Sequence, residues 1–139
     1  MVSPTDLREG WRGHLWQGRF ASFPMDERYL MLAARYVELN PVRAKLCRVP
    51  WRWRWSSAPA HVAGHNDGLA DVAPLLGRVE DWRQYLAAGL SGEEAALLRQ
   101  HERTGRPLGG TAFLKRLEHK LGRILHKKSP GRKPKKEQK

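Results

Sequence analysis

A single cysteine, Cys47, excludes an internal disulfide and a thiolate zinc site. It fits a reducing, cytoplasmic setting. No apolar run approaches the ~18 residues that a membrane span needs, so no membrane partner is expected. The opening MVSPTDLREGWRGH has no apolar core and does not read as a secretory signal. Internal repeats are absent as well. Negative charge is scarce. In 139 residues, 14 Asp and Glu stand against 26 Lys and Arg, for a formal net charge of +12. That excess argues for a polyanionic partner, because each Lys or Arg that meets a phosphate releases a condensed counterion. Nucleic acid is the first such partner; an anionic surface or an acidic protein is the second.

What is present divides into segments. Residues 1–12 are polar and loose. GHLWQGRFASF, residues 13–23, is a short aromatic run that reads as one strand near residues 14–22. A lone strand is not stable by itself. PMDERYLMLAARYVELNP, 24–41, is the clearest helix. Asp26 suits its N-cap, and Tyr29, Leu32, Ala33, Tyr36 and Leu39 share one face. Pro41 disfavours the helical conformation at Asn40, so the helix ends or kinks there and a further short turn starts at Pro41. VPWRWRWSS, 49–57, alternates Trp and Arg. An extended segment would put Trp51, Trp53 and Trp55 on one side and Arg52 and Arg54 on the other. Residues 58–78 begin with a Gly-, Ala-, Asp- and Pro-rich stretch and read as a loop or linker. His61 and His65 fall there, spaced four apart but in a context that favours a solvated loop over a metal pair.

The rest reads as helical. VEDWRQYLAAG ends at Gly89. SGEEAALLRQHERTG carries a capping box, Ser91 with Glu94, and a stop at Gly105. TAFLKRLEHKLGRILHKK, 111–128, puts Phe113, Leu114, Leu117, Leu121, Ile124 and Leu125 on one stripe opposite a basic face. Packing of the stripe is the default. Residues 129–139, SPGRKPKKEQK, form a basic tail of disordered composition. The fold class expected is therefore mostly α with one short strand. Residues 1–57, 58–78, 79–128 and 129–139 are its four segments.

Taken together, GHLWQGRFAS, RYVELNPVRA and WRWSS resemble one family, the REP-associated tyrosine transposases, a branch of the single-tyrosine HUH transposases. The likeness spans nearly the whole chain, and RYVELNPVRA is its specific part. The resemblance implies a remnant of an α+β ferredoxin-like transposase domain with a helical C-terminal extension. Family members cut and rejoin single-stranded DNA at palindromic repeats during transposition. A helix tyrosine attacks a phosphodiester and stays joined to the 5′-phosphate. Carried over, the nucleophile is Tyr36. A divalent metal, Mg2+ or Mn2+, polarises the scissile phosphate. Its ligands are a His-hydrophobic-His pair and a polar side chain one turn past the tyrosine, here Asn40.

The physics of that layout is coherent. Residues four apart on a helix lie on one face with Cβ atoms roughly 6 Å apart. A phenol of pKa about 10 needs a nearby cation or base to attack. An amide oxygen is a hard ligand suited to Mg2+. One departure is decisive. The histidines are His14, His61, His65, His101, His119 and His126, and none forms the His-hydrophobic-His triplet. In the family that motif precedes the first of the three blocks, so the chain is expected to be a C-terminal portion. By itself it is expected to hold no metal stably and to leave DNA uncut. Completion by a homodimer partner or by a missing N-terminal half in trans is the rival that would restore cleavage.

Each signal has a plainer reading. By composition alone Tyr36 packs at a core edge, and Asn40 merely tolerates a helix end before proline. The three tryptophans pin their segment to the helix; the other reading stacks bases on them. Arg19, Arg35, Arg43, Arg48, Arg52 and Arg54 are candidate DNA contacts, as are Arg132, Lys133, Lys135 and Lys136 of the tail. The function expected is transposase-like binding of single-stranded or hairpin DNA. The alternative is a non-catalytic basic nucleic-acid-binding protein.

Overall fold

The computed structural model of the protein describes residues 22–125. Its elements are α1 (Glu27–Glu38), α2 (Asn40–Arg43), a 3-10 turn (Pro50–Arg52), α3 (Ala58–Ala63), α4 (Ala73–Leu76), α5 (Trp82–Ala87), α6 (Gly92–Thr104) and α7 (Thr111–Leu121). The described chain is thus mostly helical, as its periodicity predicts. Strand pairing among the described residues is limited to one isolated parallel bridge between Met25 and Leu108. All but Ser22 of the strand expected near residues 14–22 lies outside the described residues, as do residues 126–139.

The central element is α1. Asp26 caps it, its Oδ1 accepting from the Tyr29 backbone N–H at 3.1 Å. The other oxygen, Oδ2, accepts from the Gly110 N–H at 2.8 Å. Beside it the Asp26 N–H donates to the Leu108 carbonyl and the Leu108 N–H to the Pro24 carbonyl. One side chain therefore starts the helix and clasps a segment from far along the chain. The fit is close at Gly109, where an added Cβ would sit 2.3 Å from Phe113 Cδ1.

Two apolar clusters flank α1. Leu32, with Tyr29, Ala33 and Tyr36 beside it, packs against Leu98 of α6 and Leu108. Met31 and Ala34, on a different face, pack against Ala58 of α3 and Trp82 and Leu86 of α5. The helix is covered on two sides, which a short amphipathic helix needs because its own hydrogen bonds barely offset the ordering of the backbone.

Local capping sets the ends of α5 and α6. Asp81 caps α5 through the Gln84 N–H. Ser91 and Glu94 form the expected capping box on α6, and Gly105 closes that helix at φ +62°. Gly89 also has positive φ, +70°, in keeping with its reading as a stop.

Three expectations need correction. Residues 49–57 are not an extended strip with three indoles on one side. Pro50 has the fixed φ that begins a turn, and the Trp53 N–H closes it on the Pro50 carbonyl at 3.0 Å. Trp51 then packs on the Ala58–Trp82–Leu86 cluster, while Trp55 faces solvent. Residues 58–78 are not one loop. Pro59 opens the short helix α3 and Gly64, at φ +76°, ends it, and α4 follows at Ala73. The small side chains of Ala58 and Ala60 let α3 approach closely, and both are buried. Finally, the last helix does not run through residue 125. Gly122 at φ +62° takes the left-handed conformation that stops helices. Of the expected stripe, Phe113, Leu114 and Leu117 are half-buried, but Leu121 and Ile124 are exposed.

Candidate nucleic-acid interface

Tyr36 sits in the last full turn of α1 and is half-buried against the Leu32–Leu98–Leu108 cluster. The helix ends two residues later. Leu39 joins it to α2, which starts at Asn40 with Pro41 in its first turn. The break falls at Leu39, one residue earlier than expected, and Asn40 is itself helical as the first residue of α2, so Tyr36 and Asn40 stand on consecutive short helices rather than on one. They meet at a third side chain. The Arg43 guanidinium lies 4.4 Å over the Tyr36 ring. Its Nη1 donates to Asn40 Oδ1 at 3.0 Å. Arg43 and Asn40 are both exposed. This corner can present a cation, an amide and a phenol edge to an anion.

The same geometry tests the fit of a divalent metal. The amide oxygen available at the corner faces a guanidinium. Among the described residues no three His, Cys, Asp or Glu side chains lie together so as to hold a metal. The described donor set therefore does not fit Mg2+ or Mn2+ by itself.

The other predicted contacts divide. Arg48 and Arg52 are exposed. Arg54 is exposed, with its guanidinium 4.3 Å over the Trp55 ring. Arg35 turns away from Tyr36: it lies 4.7 Å over the Tyr85 ring and its Nη2 reaches Glu94 Oε1 at 3.5 Å. It ties α1 to α5 and α6. Arg19, Arg132, Lys133, Lys135 and Lys136 lie outside the described residues.

Arg35 also bears on Tyr85. Burial pushes the Tyr85 phenol above its ordinary value, the nearby Arg35 charge pulls the other way, and Glu94 adds a smaller upward push. The folded state thus holds the phenol proton longer than the unfolded chain does. Its contribution is fully present below the unfolded value of about 10 and is lost as pH rises through the higher folded value. Tyr85→Phe is expected to flatten the loss of stability above about pH 10, as read by urea unfolding at stepped pH. An unchanged alkaline limb would show that Tyr85 does not titrate with folding.

A second cluster escaped sequence reasoning. Glu38 is buried at the end of α1. Its Oε1 accepts from Ser57 Oγ–H at 2.7 Å and lies 2.7 Å from His61 Nδ1. Its Oε2 accepts from Trp82 Nε1–H at 2.7 Å. His61 Nδ1 is also 3.1 Å from the Ser57 carbonyl, so both of its neighbours are acceptors and Nδ1 carries a hydrogen. The His61 ring stacks on Trp82 with centroids 4.7 Å apart. His61, expected in a solvated loop, is 5% exposed, and its Nε2 has no partner. His65 is exposed, as a loop residue would be. One signal did mark Glu38. It continues the Met31–Ala34 stripe at spacings of three and four, which puts an acid on an apolar face.

Comparison of the chain with family models, with curated proteins and with solved structures finds no match. No helix of the described residues is long and apolar enough to cross a membrane.

Proposed function

We propose that this protein binds single-stranded or hairpin DNA as a relative of the single-tyrosine HUH transposases. In that reading α1 and α2 derive from the helical part of an α+β, ferredoxin-like transposase domain, and Tyr36 descends from the nucleophile. The observation that carries it is the Arg43 guanidinium, exposed, resting on the Tyr36 ring at 4.4 Å and bonded to Asn40. A phosphodiester drawn to Arg43 arrives beside the phenol. Charge-assisted hydrogen bonds of this kind are the strong ones, and Arg presents a planar fork to phosphate. The basic excess of the sequence supplies the long-range attraction.

Cleavage is a separate matter. Without a His-hydrophobic-His pair in the sequence and with Asn40 committed to Arg43, the chain by itself holds DNA without cutting it. The test is to incubate the full chain with hairpin-tailed single-stranded DNA and Mg2+ or Mn2+. A native gel should show retarded DNA, and a denaturing gel no covalent adduct. Arg43→Glu should weaken binding roughly tenfold, and Tyr36→Phe should change little. An adduct lost in Tyr36→Phe would overturn the claim of non-cleavage. Unretarded DNA would overturn the binding claim. Binding that ignores Arg43→Glu but vanishes on charge reversal of the tail would favour a basic nucleic-acid binder with no use for the Tyr36 corner.

A further inference from the structure

Of the three tryptophans at 51–55, one stands largely exposed. Trp51 packs against the Ala58–Trp82–Leu86 cluster, with the Arg83 guanidinium 4.6 Å from its ring. Trp53 is half-buried. Trp55 is 72% exposed. A single exposed apolar side chain is ordinary and assigns nothing. Its surroundings are what distinguish Trp55. It lines an open groove of about 410 Å3 together with Arg54, Ser56, Asp67 and Leu69. The Arg54 guanidinium stands 4.3 Å over one face of the indole. Leu69, 98% exposed, adds apolar surface to the same groove.

Asp67 gives the groove a polar wall of fixed sign. Its Oδ1 accepts from the Ala70 N–H at 2.8 Å and from the Leu69 N–H at 3.0 Å, which folds the turn that carries Leu69. The same two backbone N–H groups, Ala70 first, hold its carboxyl below the usual carboxylate value. The wall is an acceptor and repels phosphate. The cation is on the Trp55 side. A ligand that suits both has a flat apolar face, an edge that donates hydrogen bonds, and an anionic group beside the face.

We propose that this groove takes one unpaired nucleobase of a DNA strand, stacked on Trp55, with Arg54 toward the flanking phosphate and Asp67 accepting from an exocyclic amino group. The inference rests on the DNA-binding reading above and deepens it. Stacking on an aromatic side chain tolerates any base, because every base has a π-face. The Asp67 wall adds a preference. Cytosine and adenine carry an exocyclic amino group; thymine has a carbonyl oxygen there, which the carboxylate would repel.

The test uses the full chain with short oligo(dC), oligo(dT) and a blunt duplex, read by anisotropy. Trp55→Ala is expected to weaken oligo(dC) binding roughly tenfold or more and to leave duplex binding unchanged. Trp55→Phe should restore most of the loss, since a phenyl ring also stacks. Asp67→Asn should erase the preference for oligo(dC) over oligo(dT). Wild-type binding that survives Trp55→Ala, or falls equally on oligo and duplex, overturns this inference while leaving the DNA-binding reading intact. Absence of any wild-type binding overturns both.

Discussion

Glu38→Ala is expected to destabilise the fold by about 3–5 kcal/mol, and so to leave much of the chain unfolded at 37 °C. A domain of this kind has only about 5–15 kcal/mol in hand. The wild-type carboxylate accepts from Ser57, His61 and Trp82, each at 2.7 Å. Alanine leaves three donors facing each other, two of them on buried rings, and a cavity where the carboxylate was. Glu38→Gln keeps the shape but not the acceptors. If its oxygen serves Ser57 and His61, its NH2 points at the Trp82 N–H, donor against donor. The cost should be about 1–3 kcal/mol. Trp82→Phe removes the opposing donor, so the Gln/Phe double variant should be more stable than the two single costs added together. Urea unfolding followed by circular dichroism measures all of this. A Glu38→Ala protein within about 1 kcal/mol of wild type would mean that the carboxylate is not the tie that the hydrogen bonds suggest.

The affinity for hairpin DNA is expected to fall about a thousandfold between 50 and 200 mM salt, the behaviour of a footprint of roughly six phosphates. Several of the acids have partners within the molecule: Asp26, Asp81 and Glu94 cap helices, Glu38 is buried, and Asp67 holds a turn. Against the 26 basic residues the 14 acids leave an excess of +12. Charge reversal at Arg132, Lys133, Lys135 and Lys136 should shrink the slope of log affinity against log salt by roughly three to four. Arg43→Glu should shrink it by roughly one. Titrations at four salt concentrations suffice. An affinity that stays flat across that range would sink the electrostatic account of binding.

Much of the helical layout was legible because it is written within four residues. Asp26, the Ser91–Glu94 box, Gly89 and Gly105 all act on the backbone next to them, and each is found where the sequence puts it; the break expected at Asn40 comes one residue earlier, at Leu39. The tryptophan alternation misled because period two describes a strand only if the backbone is extended, and Pro50 bends it first. The Glu38 cluster was hidden for another reason. Its other members stand 19 to 44 residues from Glu38, and a histidine in a Gly-rich stretch gives no sign that Trp82 will cover it. At the Tyr36 corner the sequence pointed to Tyr36, Asn40 and Arg43 separately. That one guanidinium would touch the other two was not readable from spacing, because the helix restarts at Asn40.

The Asp26 clasp sets an order of events during synthesis. Its partner Gly110 stands 84 positions downstream, and Leu108, which covers Leu32, emerges at nearly the same time as Gly110. At roughly 5–20 residues per second, α1 leaves the ribosome several seconds before either exists. Until α6 and then Leu108 follow, the face bearing Leu32 and Tyr36 lacks their cover. Among the described helices, nascent α1 is therefore the one on which a chaperone has the longest time to act, and release comes with the arrival of the Gly109–Gly110 turn.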